Sequence, residues 1–474
     1  MKIYNTLTGK KDDFKPRKAN VVNLFVCGPT VYDYSHLGHA KLFITFDCFA
    51  KYLKKRGYKV FYLQNITDID DKIIARAREK KINPKNLAVA FEKEYLKDMK
   101  SLGITSVTKY ARATDYIKEI ISQVKRLQEK GFAYEIAGDG IYYDISKFAD
   151  YGKLAGRTAL GAEDAVSRID YSKDKKNRGD FCLWKFKQET NEPAWPFGPA
   201  SVETALAGKE GRPGWHIEDT AITEKFFGAQ YDIHGGALEL LFPHHQAEVA
   251  QMEALSGKKP MVKYWMHVGV LTVNGQKMSK STGNFIVLSD FLKRCPANHL
   301  RFYAMKSLWS SPMDYSESTM IEIRSAVGKI EEFLSKIRST KSEIRNKTTN
   351  SKLIKQFKTD FYKELDDDFN TPKAFAVMFD FIKNTNTLLE QNLISQKEAK
   401  QIFEFFEEIN DIFGIIDIPK IKRGVPANIK KLVQDRENYR KNQEWEKSDK
   451  ARDEIEKHGY TVKDTSSGPE IRSL

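Results

Sequence analysis

The chain has 474 residues, 41% of them hydrophobic, and 78 basic against 64 acidic residues give a formal net charge of +14. This length predicts two to four domains with real cores. No apolar run of 18 residues and no apolar segment after Met1 are present, which argues against a membrane span and a secretory signal. Four cysteines far apart in sequence are too few for a disulfide framework and fit a reducing cytoplasm. The basic charge suits a polyanionic partner, although a solvated lysine-rich surface explains it equally well.

The first third of the chain contains a predicted β-α-β unit. Residues 20–27 are typical of a buried strand, a helix begins near Ser35, and residues 59–63 form a second strand. Such a unit predicts a parallel sheet with a right-handed crossover. Because ligands of parallel sheets bind beyond the carboxyl ends of the strands, we expect a site near Cys27 and residues 65–68.

The predicted helix begins with a histidine pair, His36 and His39, in the sequence HLGH. Three residues apart, the two imidazoles share a face beside the free N–H groups and the positive end of the helix dipole. These are the donors that an anion site needs. A pair of surface histidines is the alternative, but the preceding strand and the turn after Cys27 favour phosphate binding.

Residues 137–213 contain short predicted strands, several glycines and prolines and a charged loop, which is typical of an insertion between two halves of a nucleotide-binding fold. The second half resumes near Trp215 and includes a hairpin-like stretch at 264–276.

A lysine pair, Lys277 and Lys280, follows in the sequence KMSKS, within a loop rich in glycine, serine and threonine. Two ammonium groups that close over a triphosphate would stabilise a transition state rather than a ground state. An ordinary basic loop is the alternative for this string alone. Together with His36 and His39, the lysines can stabilise the charge that moves onto pyrophosphate when a carboxylate attacks the α-phosphate of ATP.

A third cluster, residues 242–248, predicts a helix that begins at Pro243. His244 and Glu248 then share a face, four residues apart. They are suitable zinc ligands, with Cys27 and a residue near 219 completing a tetrahedron. From spacing alone, however, a histidine and a glutamate at a helix start are more often structural.

The last third of the chain is predicted to be helical. Residues 318–416 have the amphipathic pattern of a helical bundle, and residues 427–458 predict a strongly charged helix. Cationic helix faces in this end, with Trp445 and Tyr460 available for stacking, suit contact with unpaired RNA bases.

These motifs together resemble the cysteinyl-tRNA synthetases, a family of class I aminoacyl-tRNA synthetases, over almost the full chain. The matching stretches are 26–33, 36–39, 65–72, 212–218, 232–236, 242–245, 264–267, 277–281 and 365–372. Other class I synthetases share the first and last catalytic motifs but not the rest, so the resemblance is specific.

The resemblance implies an α/β architecture, with a Rossmann-type parallel-sheet catalytic domain, an inserted connective segment, an α-helical bundle and a small C-terminal domain. We expect these boundaries: 1–115 for the first catalytic half, 116–213 for the insertion, 214–317 for the second half, 318–420 for a tRNA-binding bundle and 421–474 for an anticodon-binding unit. The implied activity is that of a cysteine–tRNA ligase, which activates L-cysteine with ATP and Mg²⁺ and transfers it to the 3′ end of tRNA(Cys). A cytoplasmic monomer without membrane contact is the expected form.

The resemblance also implies site residues. Gly28, Thr67 and Trp215 occupy positions that line the family's amino-acid pocket. A bound Zn²⁺ accepts the substrate thiolate in this family and so separates cysteine from serine, because zinc prefers sulfur to a neutral hydroxyl.

The family's zinc ligands are two cysteines, a histidine and a glutamate. Three map to Cys27, His244 and Glu248, but Asp219 stands where the family has the second cysteine. Since aspartate can bind zinc, we expect a site of Cys27, Asp219, His244 and Glu248. The alternative is that Asp219 lies outside the metal site and that the pocket walls give the selectivity. Nearby, Glu239 stands where the family usually has aspartate.

Two other functions are compatible with the sequence. A synthetase-like ligase could join cysteine or another amino acid to a small acceptor, but such relatives lack the full C-terminal region that this chain has. A non-catalytic RNA-binding paralogue is disfavoured by the intact His36, His39, Lys277 and Lys280.

Overall fold

The structure, a computed structural model, describes residues 1–156, 172–190, 192–197, 209–279, 283–340, 350–418, 425–465 and 468–473. The chain divides into two compact units. The first consists of Met1–Ala297, Ser307–Tyr315 and Leu365–Asn370, and the second of Asn298–Lys306, Ser316–Glu364 and Thr371–Leu474.

The described residues form seventeen strands and fourteen α-helices. The strands are β1 (Lys2–Asn5), β2 (Lys10–Asp13), β3 (Val21–Val26), β4 (Lys59–Ile66), β5 (Lys109–Arg112), β6 (Ala133–Ile136), β7 (Gly140–Tyr143), β8 (Phe181–Phe186), β9 (Trp195–Pro196), β10 (Glu210–Pro213), β11 (Tyr231–Ala237), β12 (Val262–Val268), β13 (Leu271–Val273), β14 (Gln276–Lys277), β15 (Met313–Tyr315), β16 (Tyr460–Thr465) and β17 (Gly468–Ser473). The helices are α1 (Leu37–Lys55), α2 (Asp71–Glu79), α3 (Pro84–Ser101), α4 (Ile117–Glu129), α5 (Ile217–Phe227), α6 (Gln246–Ser256), α7 (Leu288–Arg294), α8 (Ala297–Met305), α9 (Glu317–Ser339), α10 (Ser351–Asp366), α11 (Thr371–Glu390), α12 (Gln396–Phe413), α13 (Ala427–Lys441) and α14 (Trp445–Lys457).

A five-stranded parallel sheet forms the centre of the first unit, in the order β12-β11-β3-β4-β5. The last three residues of β3, from Leu24 to Val26, are all fully buried, as expected for a strand covered on both faces. The predicted parallel α/β fold is therefore confirmed. The strand order changes direction between β3 and β11, so a crevice for ligands lies at their carboxyl ends.

Helix α1 crosses from β3 to β4 and packs closely on β11. A Cβ atom at Gly235 would lie 2.2 Å from the ring of Phe46, so only glycine lets this aromatic ring lie against the strand. The helix ends before Gly57, whose φ of 89° favours glycine. The start of α1 is thereby fixed beside the carboxyl end of β3.

A separate antiparallel sheet lies in the chain between β5 and β11, in the order β6-β7-β8-β10-β9. Its strands β7 to β10 are the short strands predicted within residues 137–213. The predicted hairpin at 264–276 is partly wrong, because β12 belongs to the parallel sheet and only β13 and β14 form a hairpin. A buried strand and a hairpin strand both read as apolar runs, so periodicity alone does not separate them.

Helices α9 to α12 of the second unit pack their aromatic residues together; the rings of Phe357 and Phe381, for example, stack 4.0 Å apart. A small core of Ile429, Val433, Ile455 and Val462 joins α13, α14 and β16. The predicted continuous helix over 427–458 is wrong, since Gln443 adopts a φ of 59° and separates two helices. Among the described helices, we find none that is long and apolar enough to cross a membrane.

Candidate active site and metal centre

A buried group of potential metal ligands lies at the carboxyl ends of β3 and β11. Cys27, His244, His245 and Glu248 each offer one ligand atom, and these atoms all lie within 4.8 Å of one another. Cys27 directly follows β3, the two histidines precede α6, and Glu248 lies in the first turn of α6. Three of the four predicted ligands thus meet in one group.

Asp219, the fourth predicted ligand, lies at the border of this group. It occupies the first turn of α5 and is 1% exposed. Its Oδ2 is 3.1 Å from Nε2 of His244 and 3.5 Å from Sγ of Cys27. Asp219 therefore contacts two members of the group, although the compact set of four contains His245 instead.

His245 was missed because a regular helix beginning at Pro243 would turn it away from His244. The helix instead begins at Gln246, and the segment Leu241–His245 is a wide turn in which Phe242 has extended backbone angles. This turn directs both imidazoles inward, with Nε2 of His245 3.2 Å from Sγ of Cys27. The adjacent histidine in the sequence was the available signal.

Unpartnered oxygens test whether these residues fit a cation. Both carboxylate oxygens of Glu248 and Oδ1 of Asp219 are buried and accept no hydrogen bond among the described residues, although Nε2 of His244 lies 3.2 Å from Oε1 of Glu248. Buried carboxylate oxygens without partners are costly unless a cation compensates them. Sulfur, imidazole nitrogen and carboxylate oxygen are also the donors that zinc prefers. The residues present therefore fit a zinc ion.

Further histidines orient the imidazoles of the group. Nδ1 of His244 lies 2.8 Å from Nδ1 of His216, which leaves its Nε2 toward Asp219 and Glu248. Nδ1 of His245 lies 2.8 Å from Nε2 of His267. Outer partners of this kind fix the orientation and tautomer of metal-binding histidines. His216 and His267 were not among the predicted site residues.

The pKa shifts in the metal group indicate that a positive charge would stabilise it. Burial, followed by the charge of Asp219, raises the pKa values of Cys27 and Glu248. Burial lowers the pKa of His245, which keeps its imidazole neutral. A bound cation reverses the penalty on the thiol and the carboxyl group, because it favours their deprotonated forms.

The three predicted pocket positions lie beside residues of this group or beside Glu218, the neighbour of Asp219. The N–H of Gly28 donates to Oδ1 of Asn65 at 2.5 Å, and a Cβ at Gly28 would lie 1.8 Å from the carbonyl oxygen of Asn65, so no side chain fits there. The hydroxyl of Thr67 donates to Glu218. The indole of Trp215, 37% exposed, stacks on His244 with ring centroids 4.3 Å apart.

Glu218 was not predicted as a site residue, although its neighbours in sequence were. It is 1% exposed in the first turn of α5. Burial raises its pKa, and the charges of Asp219 and Asp70 raise it further. The pocket thus contains a third buried carboxyl group, besides Asp219 and Glu248.

The predicted histidine pair caps α1. Nδ1 of His36 accepts the N–H of Gly38 at 3.1 Å, and Nδ1 of His39 accepts the N–H of His36 at 3.3 Å. Burial, together with the charge of His36, lowers the pKa of His39, so this imidazole is neutral. Since Nδ1 accepts in both rings, each carries its proton on Nε2 and can donate it to an anion.

The described part of the KMSKS segment, residues 277–279, lies beside this pair. A Cβ at Gly38 would lie 3.8 Å from Cε of Met278, and the N–H of Leu37 donates to the carbonyl of Ile286 at 3.3 Å. Lys277 is exposed and forms an ion pair with Glu239. Lys280 lies outside the described residues. The two motifs, far apart in sequence, thus meet in one region of the first unit.

Three family models match the chain. A model of the class I (C) tRNA synthetase catalytic domain matches residues 13–325, a DALR domain model matches 360–417, and a cysteinyl-tRNA ligase anticodon binding domain model matches 422–472. The fold also resembles Mycobacterium tuberculosis methionyl-tRNA synthetase in complex with methionyl-adenylate, with a TM-score of 0.59 at 12% identity over 83% of this chain and 92% of that one. Fold and catalytic-domain match together define a class I tRNA synthetase.

Curated relatives extend the match over the whole chain. The cysteine–tRNA ligase of Thermoplasma acidophilum is 42% identical over 469 residues, which cover 98% of each chain. That of Thermococcus gammatolerans is 40% identical over 485 residues, covering 99% of this chain and 98% of the relative. The chain belongs to the cysteine–tRNA ligase family, as the resemblance in its sequence predicted.

Proposed function

We propose that the protein is a cysteine–tRNA ligase, which activates L-cysteine with ATP and Mg²⁺ and transfers it to the 3′ end of tRNA(Cys). One observation carries this proposal: the Cys27 group lies at the ligand-binding end of the parallel sheet and contacts Trp215, while Thr67 hydrogen-bonds to Glu218, the neighbour of Asp219. A sulfur-binding site beside an amino-acid pocket and a phosphate-binding motif has the parts that cysteine activation needs.

Zinc is the proposed metal, held by Cys27, His244 and Glu248 with Asp219 as the fourth ligand. Asp219 is favoured because its Oδ1 is buried without a partner while its Oδ2 contacts His244. His245 is the alternative fourth ligand, since it belongs to the compact group. When bound, zinc supplies a soft Lewis acid that a thiolate satisfies better than a serine hydroxyl does.

In the proposed first step, a carboxylate oxygen of cysteine bonds to the α-phosphorus of ATP and the bond to the bridging oxygen of pyrophosphate breaks. The Nε2 protons of His36 and His39 donate to phosphate oxygens, and Lys277 and Lys280 neutralise the charge that develops on pyrophosphate. No side-chain nucleophile is required, because the substrate carboxylate is itself the nucleophile. Gly28, Thr67 and Trp215 bind and orient the amino acid.

In the proposed second step, a terminal ribose hydroxyl of tRNA attacks the carbonyl carbon and AMP leaves. We propose that residues 318–420 and 421–474 bind the tRNA and its anticodon, while 1–115 and 214–317 form the catalytic domain around the insertion 116–213. The matched anticodon binding domain supports this division. A monomer acting in the cytoplasm, where tRNA and ATP occur together, completes the proposal.

Amino-acid-dependent exchange of pyrophosphate into ATP tests the proposal. We expect exchange with cysteine, far less with serine and none without an amino acid, together with charging of tRNA(Cys). Exchange without charging would favour a ligase that uses a small acceptor. A pure, zinc-loaded preparation that forms no adenylate with any amino acid would refute the proposed activity.

A further inference from the structure

Glu218 is a buried carboxylate that the steps above leave without a role. It lies in the first turn of α5, between the pocket residue Trp215 and the proposed ligand Asp219, with 1% of its surface exposed. Its hydrogen-bond partner is the hydroxyl of Thr67, another of the predicted pocket residues. A neutral hydroxyl is a weak partner for a buried carboxylate, which strongly favours a charged one.

A chain of hydrogen bonds ends on this carboxylate. The N–H of Gly28 donates to Oδ1 of Asn65, Nδ2 of Asn65 donates to Thr67 at 3.3 Å, and the Thr67 hydroxyl donates to Glu218. Because the only proton of the Thr67 hydroxyl is already given to Glu218, this hydroxyl can offer a ligand nothing but an acceptor. Glu218 and Thr67 together therefore present acceptors to whatever enters.

The charges around Glu218 also favour a cationic ligand. Within the part of the chain that the structure describes, neither lysine nor arginine forms an ion pair with Glu218. The proposed metal does not compensate it, because Cys27, Asp219 and Glu248 would already provide three negative charges to a divalent ion. With the metal held by those three groups, Glu218 would still have no cationic partner of its own, so its carboxylate favours a ligand with a cationic group.

We propose that Glu218 binds the α-ammonium group of the amino-acid substrate. An ammonium ion offers three donors and a positive charge, which match the acceptors of Glu218 and Thr67. This inference rests on the proposed function, and it assigns different parts of the substrate to different groups. The metal would bind the side chain of the amino acid, while Glu218 binds the ammonium group that cysteine and serine share. Glu218 therefore raises affinity for the amino acid without separating cysteine from serine.

Two fragments of cysteine separate these roles. Cysteamine has the thiol and the ammonium group but no carboxylate, and 3-mercaptopropionate has the thiol and the carboxylate but no ammonium group. Their affinities can be measured by calorimetry on the zinc-loaded protein. In Glu218→Gln, whose amide oxygen can still accept from Thr67, we expect cysteine and cysteamine to bind about 10- to 100-fold more weakly. Binding of 3-mercaptopropionate should change less than threefold, and KM for ATP should not change.

Glu253→Gln is the matched control, because Glu253 is also a buried carboxylate of the first unit but accepts the N–H of Met261 instead. This variant should bind all three ligands as the unmodified protein does. The zinc content of both variants is measured, so that damage to the metal group is detected. Equal weakening of both fragments in Glu218→Gln would show that Glu218 acts through the metal or the pocket wall, and would overturn the proposal. Unchanged affinity for cysteamine would overturn it as well.

The unmodified protein provides a test that does not depend on the variant folding. There, cysteamine should bind at least tenfold more tightly than 3-mercaptopropionate, and the reverse order would overturn the proposal. The outcome is separate from that of the proposed function. A protein that exchanges pyrophosphate with cysteine but prefers 3-mercaptopropionate would keep its function and lose this role for Glu218.

Discussion

The metal group and the phosphate side of the candidate site are built in different ways. Cys27, His244 and Glu248 are at most 3% exposed, and each is fixed by a strand end or a helix start of the central fold. Lys277, in contrast, has a side chain that is 80% exposed and paired with a glutamate that is 52% exposed. The amino-acid side is therefore assembled without any ligand, whereas the ammonium group of Lys277 on the phosphate side is still solvated.

The difference has an energetic reason. Buried metal-ligand atoms without hydrogen-bond partners cost free energy in the absence of a cation. The packed core must therefore hold them in place, and a bound metal offsets the cost. A solvated lysine has no desolvation cost before a ligand binds. Its attraction for phosphate becomes strong only when the ligand excludes water around it. We therefore expect changes on the two sides to affect different measurements.

The largest effect is expected from Lys277→Ala. If this ammonium contacts the phosphates mainly in the transition state, kcat for cysteine-dependent pyrophosphate exchange should fall about 100- to 1000-fold. Zinc content and cysteine affinity should remain unchanged, because the metal group does not involve this residue. Lys258→Ala, at an exposed lysine elsewhere in the first unit, is the control. A fall of less than threefold would show that the phosphate side does not depend on the solvated charge of Lys277.

Asp219→Asn tests the metal group. The substitution removes one anionic donor, so we expect zinc to bind about 10- to 100-fold more weakly in competition with a chromophoric chelator, while KM for ATP is unchanged. Asp219→Cys should instead tighten zinc binding and strengthen the thiolate-to-metal absorption of the cobalt-substituted protein. Asp290→Asn, at another first-turn acid, is the control. Equal zinc affinity in all variants would place Asp219 outside the metal site and favour His245.

The sequence predicted most of the fold and the outline of the site, for a physical reason. Strand β3, helix α1 and the histidine pair have local signals, namely an apolar run, regular spacing and a helix start. Glu218 has none of these, and the one signal for His245 was its position next to His244. His245 faces inward because of an irregular turn before α6, and Glu218 meets Thr67 only because α5 and β4 come together in three dimensions. Contacts between distant segments are fixed by packing, which spacing along one chain does not reveal.

Lys41 differs from Lys277, because it is a buried basic residue in α1, two residues after His39. It is 2% exposed, donates to the carbonyls of Gly269 and Ser311 at 2.8 and 2.7 Å, and burial lowers its pKa to about 7. Above pH 7 the unfolded chain therefore binds more protons at this site than the folded protein does, so its contribution to stability rises with pH. Relative to Lys41→Met, the unmodified protein should gain up to about 1.4 kcal/mol of unfolding free energy per pH unit between pH 7 and 9. Urea unfolding at several pH values measures this difference, and a constant difference would show that the ammonium is not destabilised by burial.

The smallest effect is expected from Glu239→Gln. Ion pairs between exposed side chains contribute about 0–1 kcal/mol, so the pair of Glu239 with Lys277 is a weak competitor for ATP. Its loss should lower KM for ATP at most about fivefold and leave kcat unchanged, because Lys277 no longer has to leave a partner before it meets the nucleotide. Salt screens exposed charges, so the effect should vanish when exchange is measured at high ionic strength. A change larger than tenfold, or one that persists in high salt, would mean that Glu239 contacts the substrates directly. The phosphate side would then contain a fixed acidic side chain, as the metal group does.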